Sequence, residues 1–400
     1  MEILYRKSQL ALKKLQNIKY HRYLFNELLG LDYRLIGIRG ARGVGKTILM
    51  LQLLQQLHLP PEQAIYVSLD DPIFMKTRFV DFIDWFYKFG GKFVFADEVH
   101  KYRNWSRELK NVYDFYTDIK IIFSASSVLD LFKAEADLAR RAVMFDLNEL
   151  SLREFALIKY DLRLPVLKLE EILQFHSRIA SDLLMTDFKP IKLLKEYFVY
   201  GAYPLFSENI EFYTEQLTKT IDLIIETDLP SVERIEYQTV YKLRKLLKVI
   251  AESSPFKPNI AKLSNELNTS RDRLLKFLHL LERAKLIRNI RTKSQGIAYL
   301  RKPEKILLNN PNLLYAYSDT EPNKGSLRET FFVSQITAKH QVTYPETGDF
   351  LIDGRWLFEI GGKSKTQKQI AGQPDAFIAA DDIEIGFGNK IPLWLLGFLY

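Results

Sequence analysis

Apolar and polar positions along the first 160 residues follow a strand–helix rhythm. A short apolar run, Leu35-Ile36-Gly37-Ile38, leads into a glycine-rich turn. Thr47–His58 follows, apolar at Ile48, Leu49, Leu51 and Leu54. That spacing predicts a helix packed on a sheet. Ala64–Leu69 predicts a second strand, residues 79–89 a helix, and Lys92–Glu98 a third strand. Trp105, Leu109, Val112, Tyr113 and Tyr116 recur at i, i+4, i+7, i+8 and i+11, the stripe of an amphipathic helix with Trp105 on its core side. Lys120–Phe123 and Ala142–Phe145 predict two more strands. Ser151-Leu152-Arg153-Glu154 has the form of a capping box that opens another helix. Strands alternating with helices predict an α/β fold with a parallel sheet.

The pattern then changes. Residues 156–235 predict helices, punctuated at Tyr200-Gly201-Ala202-Tyr203-Pro204, where glycine and proline impose a structural break. A helix over Glu211–Thr227 is expected to stop at Asp228-Leu229-Pro230. Residues 240–302 predict a winged helix. Its helices are Tyr241–Glu252, Asn259–Leu267 and a third burying Leu274, Leu275, Leu278 and Leu281, with Thr269 and Asp272 as a capping box between the last two. A basic hairpin, Arg288–Lys302, would be the wing. The last hundred residues predict a small α/β domain: strand Lys305–Leu308, helix Leu327–His340, strands Asp349–Ile352 and Trp356–Ile360, and a buried terminal strand in Ile391–Tyr400. The expected domains are therefore 1–155, 156–235, 236–302 and 303–400.

A length of 400 residues exceeds what one core usually serves, and 47% hydrophobic content supplies several. The absence of cysteine rules out disulfides and thiolate metal sites and fits a reducing, cytoplasmic setting. No signal peptide or membrane-spanning run is read. The formal charge of +8 permits contact with nucleic acid without demanding it.

The glycine-rich turn carries the strongest chemistry. Gly40-x4-Gly45-Lys46-Thr47, strand before and helix after, is the Walker A pattern in its required context. Gly40, Ala41, Arg42, Gly43, Val44, Gly45, Lys46, Thr47 and Ile48 would cradle the phosphates of ATP. The glycines let backbone amides face the anion, and the helix start adds its positive end. Lys46 would reach the β- and γ-phosphates, and Thr47 would hold Mg²⁺. Fifty residues on, Phe93-Val94-Phe95-Ala96-Asp97-Glu98 is an apolar strand ending in two carboxylates, the Walker B pattern. Asp97 would support the metal and Glu98 would orient the attacking water. His100 reads as a polar neighbour, since P-loop hydrolysis needs no histidine base. Ser124, with Ser126 as second choice, would meet the γ-phosphate at the end of the fourth strand. Arg141 is a candidate to touch it, in cis or from a neighbouring subunit.

Together these pieces resemble a prokaryotic family of AAA+-like ATPases that pair an N-terminal ATPase domain with a C-terminal DUF4143 domain. The likeness rests on Gly40–Thr47, Phe95–Glu98, Ser124–Ser127, Arg141, Leu150–Phe155 and Tyr200–Pro204, and further on Gly325-x3-Glu329 and Gly348-Asp349-Phe350. Two positions depart from that family's pattern: Arg140-Arg141 stands where Gly-Arg is usual, and Glu149 stands where proline is usual. The resemblance implies an ATPase and no particular pathway.

Two further sites are expected. Glu329, Asp349, Glu359 and Lys363 suggest the PD-(D/E)xK nuclease core, whose carboxylates hold Mg²⁺ and whose lysine activates water. The usual position for the lysine is Gly361, so the site is read as vestigial. Arg271, Arg273 and Lys276 on the third helix of the winged helix, with Arg288, Arg291, Lys293, Arg301 and Lys302 in the wing, could neutralise DNA phosphates. The leading expectation is a Mg²⁺-dependent ATPase whose nucleotide state controls the winged-helix and nuclease-like domains, with DNA as a candidate partner. The rivals are a slow nucleotide-gated switch acting on a protein partner, and an ATP-regulated DNA nuclease. The oligomeric state is left open.

Overall fold

Each neighbouring pair of strands in the first 148 residues runs parallel. A computed structural model describes residues 2–126, 138, 140–232, 235, 237–253, 257–292 and 302–400. These form two compact units, Met1–Asn148 and Glu149–Tyr400.

In the first unit, strands β1 (Leu35–Gly40), β2 (Ala64–Ser68), β3 (Phe93–Asp97), β4 (Lys120–Ser126) and β5 (Val143–Asp146) form one sheet in the order β2-β3-β4-β1-β5. Parallel strands are covered on both faces, so they read as near-continuous apolar runs, and in β1 all residues but Arg39 are buried. Helices α1 (Glu2–Leu12), α2 (Phe25–Leu29), α3 (Lys46–Gln56), α4 (Phe79–Lys88) and α5 (Trp105–Phe115) complete the unit. Phe79, Phe82, Ile83 and Phe86 of α4 are fully buried at helical spacing. Trp105 is half-buried and packs on the core beside Phe123. β2 is an edge strand, and the buried Ser8 hydroxyl of α1 accepts a hydrogen bond from its Tyr66 amide, covering part of an edge that would otherwise be open.

The second unit opens with α6 (Leu152–Tyr160). Ser151 and Glu154 exchange the reciprocal bonds of a capping box, as the sequence predicts. Next come α7 (Leu169–Leu184), α8 (Pro190–Tyr200) and α9 (Tyr213–Leu223). The expected stop at Asp228-Leu229-Pro230 is absent. A π-helical turn, Ile224–Asp228, carries the chain into α10 (Leu229–Val232). Pro230 has no N–H to donate, and the π turn already breaks the regular bonding ladder there.

Helices α11 (Tyr237–Glu252), α12 (Ile260–Glu266) and α13 (Arg271–Arg283) precede an antiparallel hairpin of β6 (Ile287–Ile290) and β7 (Lys305–Leu308). The cap of α13 is Ser270, whose hydroxyl accepts from Arg273 N, not Thr269. β7 was expected in the C-terminal sheet, but it pairs with β6. Lys293 and Arg301 lie outside the described residues.

Helices α14 (Pro311–Tyr317) and α15 (Lys324–Ile336) lead to a second sheet, ordered β12-β11-β10-β9-β8. Its strands are β8 (Val342–Thr343), β9 (Phe350–Ile352), β10 (Trp356–Gly361), β11 (Ala376–Ala380) and β12 (Lys390–Pro392). The terminal segment is buried, as expected, but Leu393–Phe398 is a 3-10 helix rather than a strand. Among the described residues no helix is long and apolar enough to cross a membrane.

Candidate functional site: a phosphate cradle above two carboxylates

The glycine-rich loop leaves the C-terminal end of β1, between the ends of β4 and β5. This is where an open parallel sheet places its ligand. Gly43 and Gly45 have φ of 86° and 96°, the left-handed region that side chains disfavour. Gly40 is required for a different reason: a Cβ there would lie 2.5 Å from the Leu147 carbonyl oxygen. Ala41 and Val44 are buried, Arg42, Gly45 and Ile48 are half-buried, and Gly43 is exposed. The buried Lys46 Nζ donates to Gly40 O at 2.9 Å and Ala41 O at 3.0 Å, so its ammonium lies against the loop.

Asp97 ends β3 and collects donors from three neighbouring elements. Thr47 Oγ1 donates to its Oδ2 at 2.6 Å. Ser124 of β4 donates to Oδ1, and Glu98 N reaches Oδ1 at 3.0 Å. Tyr66 OH of β2 donates to Oδ2 at 2.8 Å. Glu98 N also lies 3.0 Å from Ser124 Oγ. Glu98 itself has φ of 51°, left-handed for a non-glycine residue. That costs on the order of 1–3 kcal/mol and persists only where its surroundings enforce it. Burial raises the Glu98 carboxyl above its usual range; Lys46 opposes this and Asp97 adds to it. The His100 side chain is buried, with Nε2 3.4 Å from Glu98 Oε2, so this polar neighbour of the site lies against its second carboxylate.

The donor set fits Mg²⁺, a hard cation that takes one or two protein oxygens and completes its shell with phosphate and water. Thr47 and Asp97 are the residues that would hold it. Among the described residues no group of three carboxylate or histidine side chains could bind a metal unaided.

Arg141 is not brought to this site within one chain. Its guanidinium makes two bonds to Asp114 of α5, at 2.8 and 3.1 Å. β5 runs parallel to β1, so a residue preceding β5 lies at the sheet edge opposite the phosphate loop. The strand position of Ser126 is described, but its side chain and Ser127 lie outside the described residues. The sequence also gave no sign of Tyr66, which reads as an ordinary strand residue, or of Arg22. Arg22 is buried and donates to Val44 O and, at 2.7 Å, to Asn148 O, fastening the loop.

The other expected sites are partly assembled. Arg271, Arg273 and Lys276 are exposed on α13. Two arginines of the expected wing are committed elsewhere. Arg288 bonds to Asn309 O and Thr337 Oγ1, and Arg291 grips Glu282 at 3.0 and 2.9 Å. Lys363 does not meet Glu359: its carbonyl accepts from Lys390 Nζ, and Lys365 takes the position beside the carboxylate.

Loop, helix start and paired carboxylates on a five-stranded parallel sheet give the first unit the form of a P-loop NTPase-like domain. One family model agrees with this. Residues 32–156 match the family model of an AAA domain, AAA_14. The expected DUF4143 region is not what matches downstream: residues 191–324 match a different domain of unknown function, DUF8612. The chain is 27% identical over 413 residues to the uncharacterized protein MJ1637 of Methanocaldococcus jannaschii, covering 93% of this chain and 84% of that one. Solved structures similar to it include AMPPCP-bound DnaA from Aquifex aeolicus (16% identity, 65% of this chain, 86% of that one, TM-score 0.28). A DNA replication initiation factor also matches (17%, 68% and 95%, TM-score 0.28), as does PCH-2 of C. elegans (17%, 44% and 47%, TM-score 0.24).

Proposed function

We propose that this chain binds ATP with Mg²⁺ at the Gly40–Ile48 loop and hydrolyses it. The observation that carries the reading is the Thr47–Asp97–Ser124–Glu98 chain of hydrogen bonds beneath a loop held open by left-handed glycines. The loop amides and Lys46 bind the phosphate tail. Mg²⁺ supplies charge neutralisation of the phosphates when bound. Asp97 and Thr47 orient it, Ser124 fixes the Asp97 carboxylate, and Glu98 orients or deprotonates the attacking water.

The second unit would be the element that the nucleotide state controls. Exposed Arg271, Arg273 and Lys276 on α13 support DNA phosphates as its partner, read through a winged-helix arrangement of α11–α13 and the β6–β7 hairpin. Salt-sensitive DNA binding weakened by the Arg271→Ala, Arg273→Ala double variant is the expected result. No binding at low salt would favour a protein partner.

A steady-state phosphate-release assay tests the enzyme reading. Wild type should turn over, Glu98→Gln should bind ATP and hydrolyse it at least about a hundredfold more slowly, and Lys46→Ala should not bind. Equal, slow release from wild type and Glu98→Gln would replace the ATPase with a nucleotide-gated switch.

A further inference from the structure

Strand alternation puts a side chain at position 361 on the same face of β10 as Glu359. Position 361 is glycine, and the space is filled from elsewhere. A Cβ there would fall 2.7 Å from Cβ and Cγ of Lys365. Lys365 returns from the following loop and places Nζ 2.6 Å from Oε1 of the fully buried Glu359.

A second lysine completes the cluster. Lys305 of β7 is 2% exposed. Its Nζ donates to Glu329 Oε2 of α15 at 2.9 Å, lies 3.4 Å from Asp349 Oδ1, and sits 4.7 Å from the centre of the Phe350 ring. Asp349 Oδ2 accepts from Ile360 N at 2.8 Å, which fixes that carboxylate against β10. Three carboxylates from α15, the start of β9 and β10 thus face two ammonium groups of their own chain. Carboxylates gathered out of water are tolerated only with counter-charge. In a metal-dependent cluster that charge is a divalent cation; here a side chain supplies it.

We propose that Lys305 is the resident cation of this cluster, its ammonium holding the place between Glu329 and Asp349 that a divalent metal would take. The C-terminal sheet then carries a metal-independent ion-pair site. Divalent cations compete with a tethered, buried ammonium for the same oxygens, and removing that ammonium opens a metal site.

The test is Mn²⁺ binding to the nucleotide-free full chain, followed by electron paramagnetic resonance and by thermal shift. A Thr47→Ala background weakens the P-loop site in every sample. Wild type and Asp349→Asn should give coincident titrations. Lys305→Met should bind one Mn²⁺ at least about tenfold more tightly than Lys305 protein and melt higher with Mn²⁺ present, and both gains should vanish in Lys305→Met with Asp349→Asn. A folded Lys305→Met that gains no Mn²⁺ site overturns the proposal. Should Lys305→Met fail to fold, the comparison of wild type with Asp349→Asn still decides. A wild-type Mn²⁺ site, or Mn²⁺-dependent nicking of plasmid DNA, that disappears in Asp349→Asn overturns the proposal; coincident curves and no nicking support it.

Discussion

The phenol of Tyr66 donates a 2.8 Å hydrogen bond to Oδ2 of Asp97, the same oxygen that accepts from Thr47 Oγ1 at 2.6 Å. With Ser124 and Glu98 N on Oδ1, the carboxylate is held by four donors and its plane is fixed. Burial and the neighbouring Asp97 charge both push the Tyr66 phenol well above its ordinary range, so it stays a donor at any working pH. If Thr47 and Asp97 hold Mg²⁺ as proposed, the Thr47 hydroxyl would be drawn from Asp97, and Tyr66 would be the side-chain donor left on Oδ2.

Tyr66→Phe should therefore change the Mg²⁺ requirement rather than nucleotide capture. Losing a hydrogen bond to a charged group costs about 1.5–3 kcal/mol, so the half-saturating Mg²⁺ for turnover should rise roughly ten- to a hundredfold. ATP binding measured in EDTA should stay at the wild-type value. An unchanged Mg²⁺ curve would leave Tyr66 with a packing role only.

Glu98 makes a prediction about stability. Its carboxyl holds a proton to higher pH in the folded chain than in the unfolded one, where its value is about 4.3. The folded state therefore binds more protons between those two values, and stability falls as pH rises through that window. Glutamine keeps the shape without the charge. Glu98→Gln should melt above wild type at neutral pH, with the difference closing as pH drops below about 4. Thermal melts across that range check the sign, and a variant that melts lower at neutral pH would contradict it.

Gly40→Ala should damage the cradle without touching a charged group. The new methyl carbon would lie 2.5 Å from a main-chain oxygen, which cannot swing away as a side chain end can. Overpacking of this kind costs about 1–3 kcal/mol. ATP affinity measured by calorimetry should fall along with the melting temperature of the first unit.

The P-loop was legible because its chemistry dictates residue types at fixed spacing: two left-handed glycines, a lysine, a hydroxyl and a later strand ending in carboxylates. Arg141 precedes β5, which runs parallel to β1, so within one chain it lies at the end of the sheet opposite the phosphate loop; of the two placements its sequence position allows, only one from a neighbouring subunit remains. Tyr66 was not legible, because a tyrosine in a strand looks like core until the β2–β3 register sets Ser68 beside Asp97. The lysine of the C-terminal cluster was sought by strand parity at Lys363, whereas Lys365 reaches Glu359 by a loop return that periodicity does not encode. Lys305 was assigned to the correct strand, but the strand's partner is β6, and its meeting with Glu329 is purely tertiary.

Asn312 gives the sharpest test of the second unit. It is buried, and its amide is fully used. Oδ1 accepts from Ala202 N at 2.7 Å and from Tyr213 OH, while Nδ2 donates to the carbonyls of Tyr197 and Phe198 at 2.8 and 2.9 Å. Those carbonyls belong to the last turn of α8, where main-chain donors run out: Gly201 N reaches Tyr197 O at 2.9 Å, and the Asn312 amide adds a second donor there and one to Phe198 O. One side chain from α14 thus closes the end of α8, holds the Gly201-Ala202 turn and receives α9. Truncation strands several buried polar groups at about 1–3 kcal/mol each. Asn312→Ala should lower stability by at least about 3 kcal/mol on that scale, read as an earlier denaturation transition of the second unit. Asn312→Asp keeps the acceptor but loses both donations, and should be comparably damaging at neutral pH. If either variant melts like wild type, the Tyr200–Pro204 break is held by packing alone.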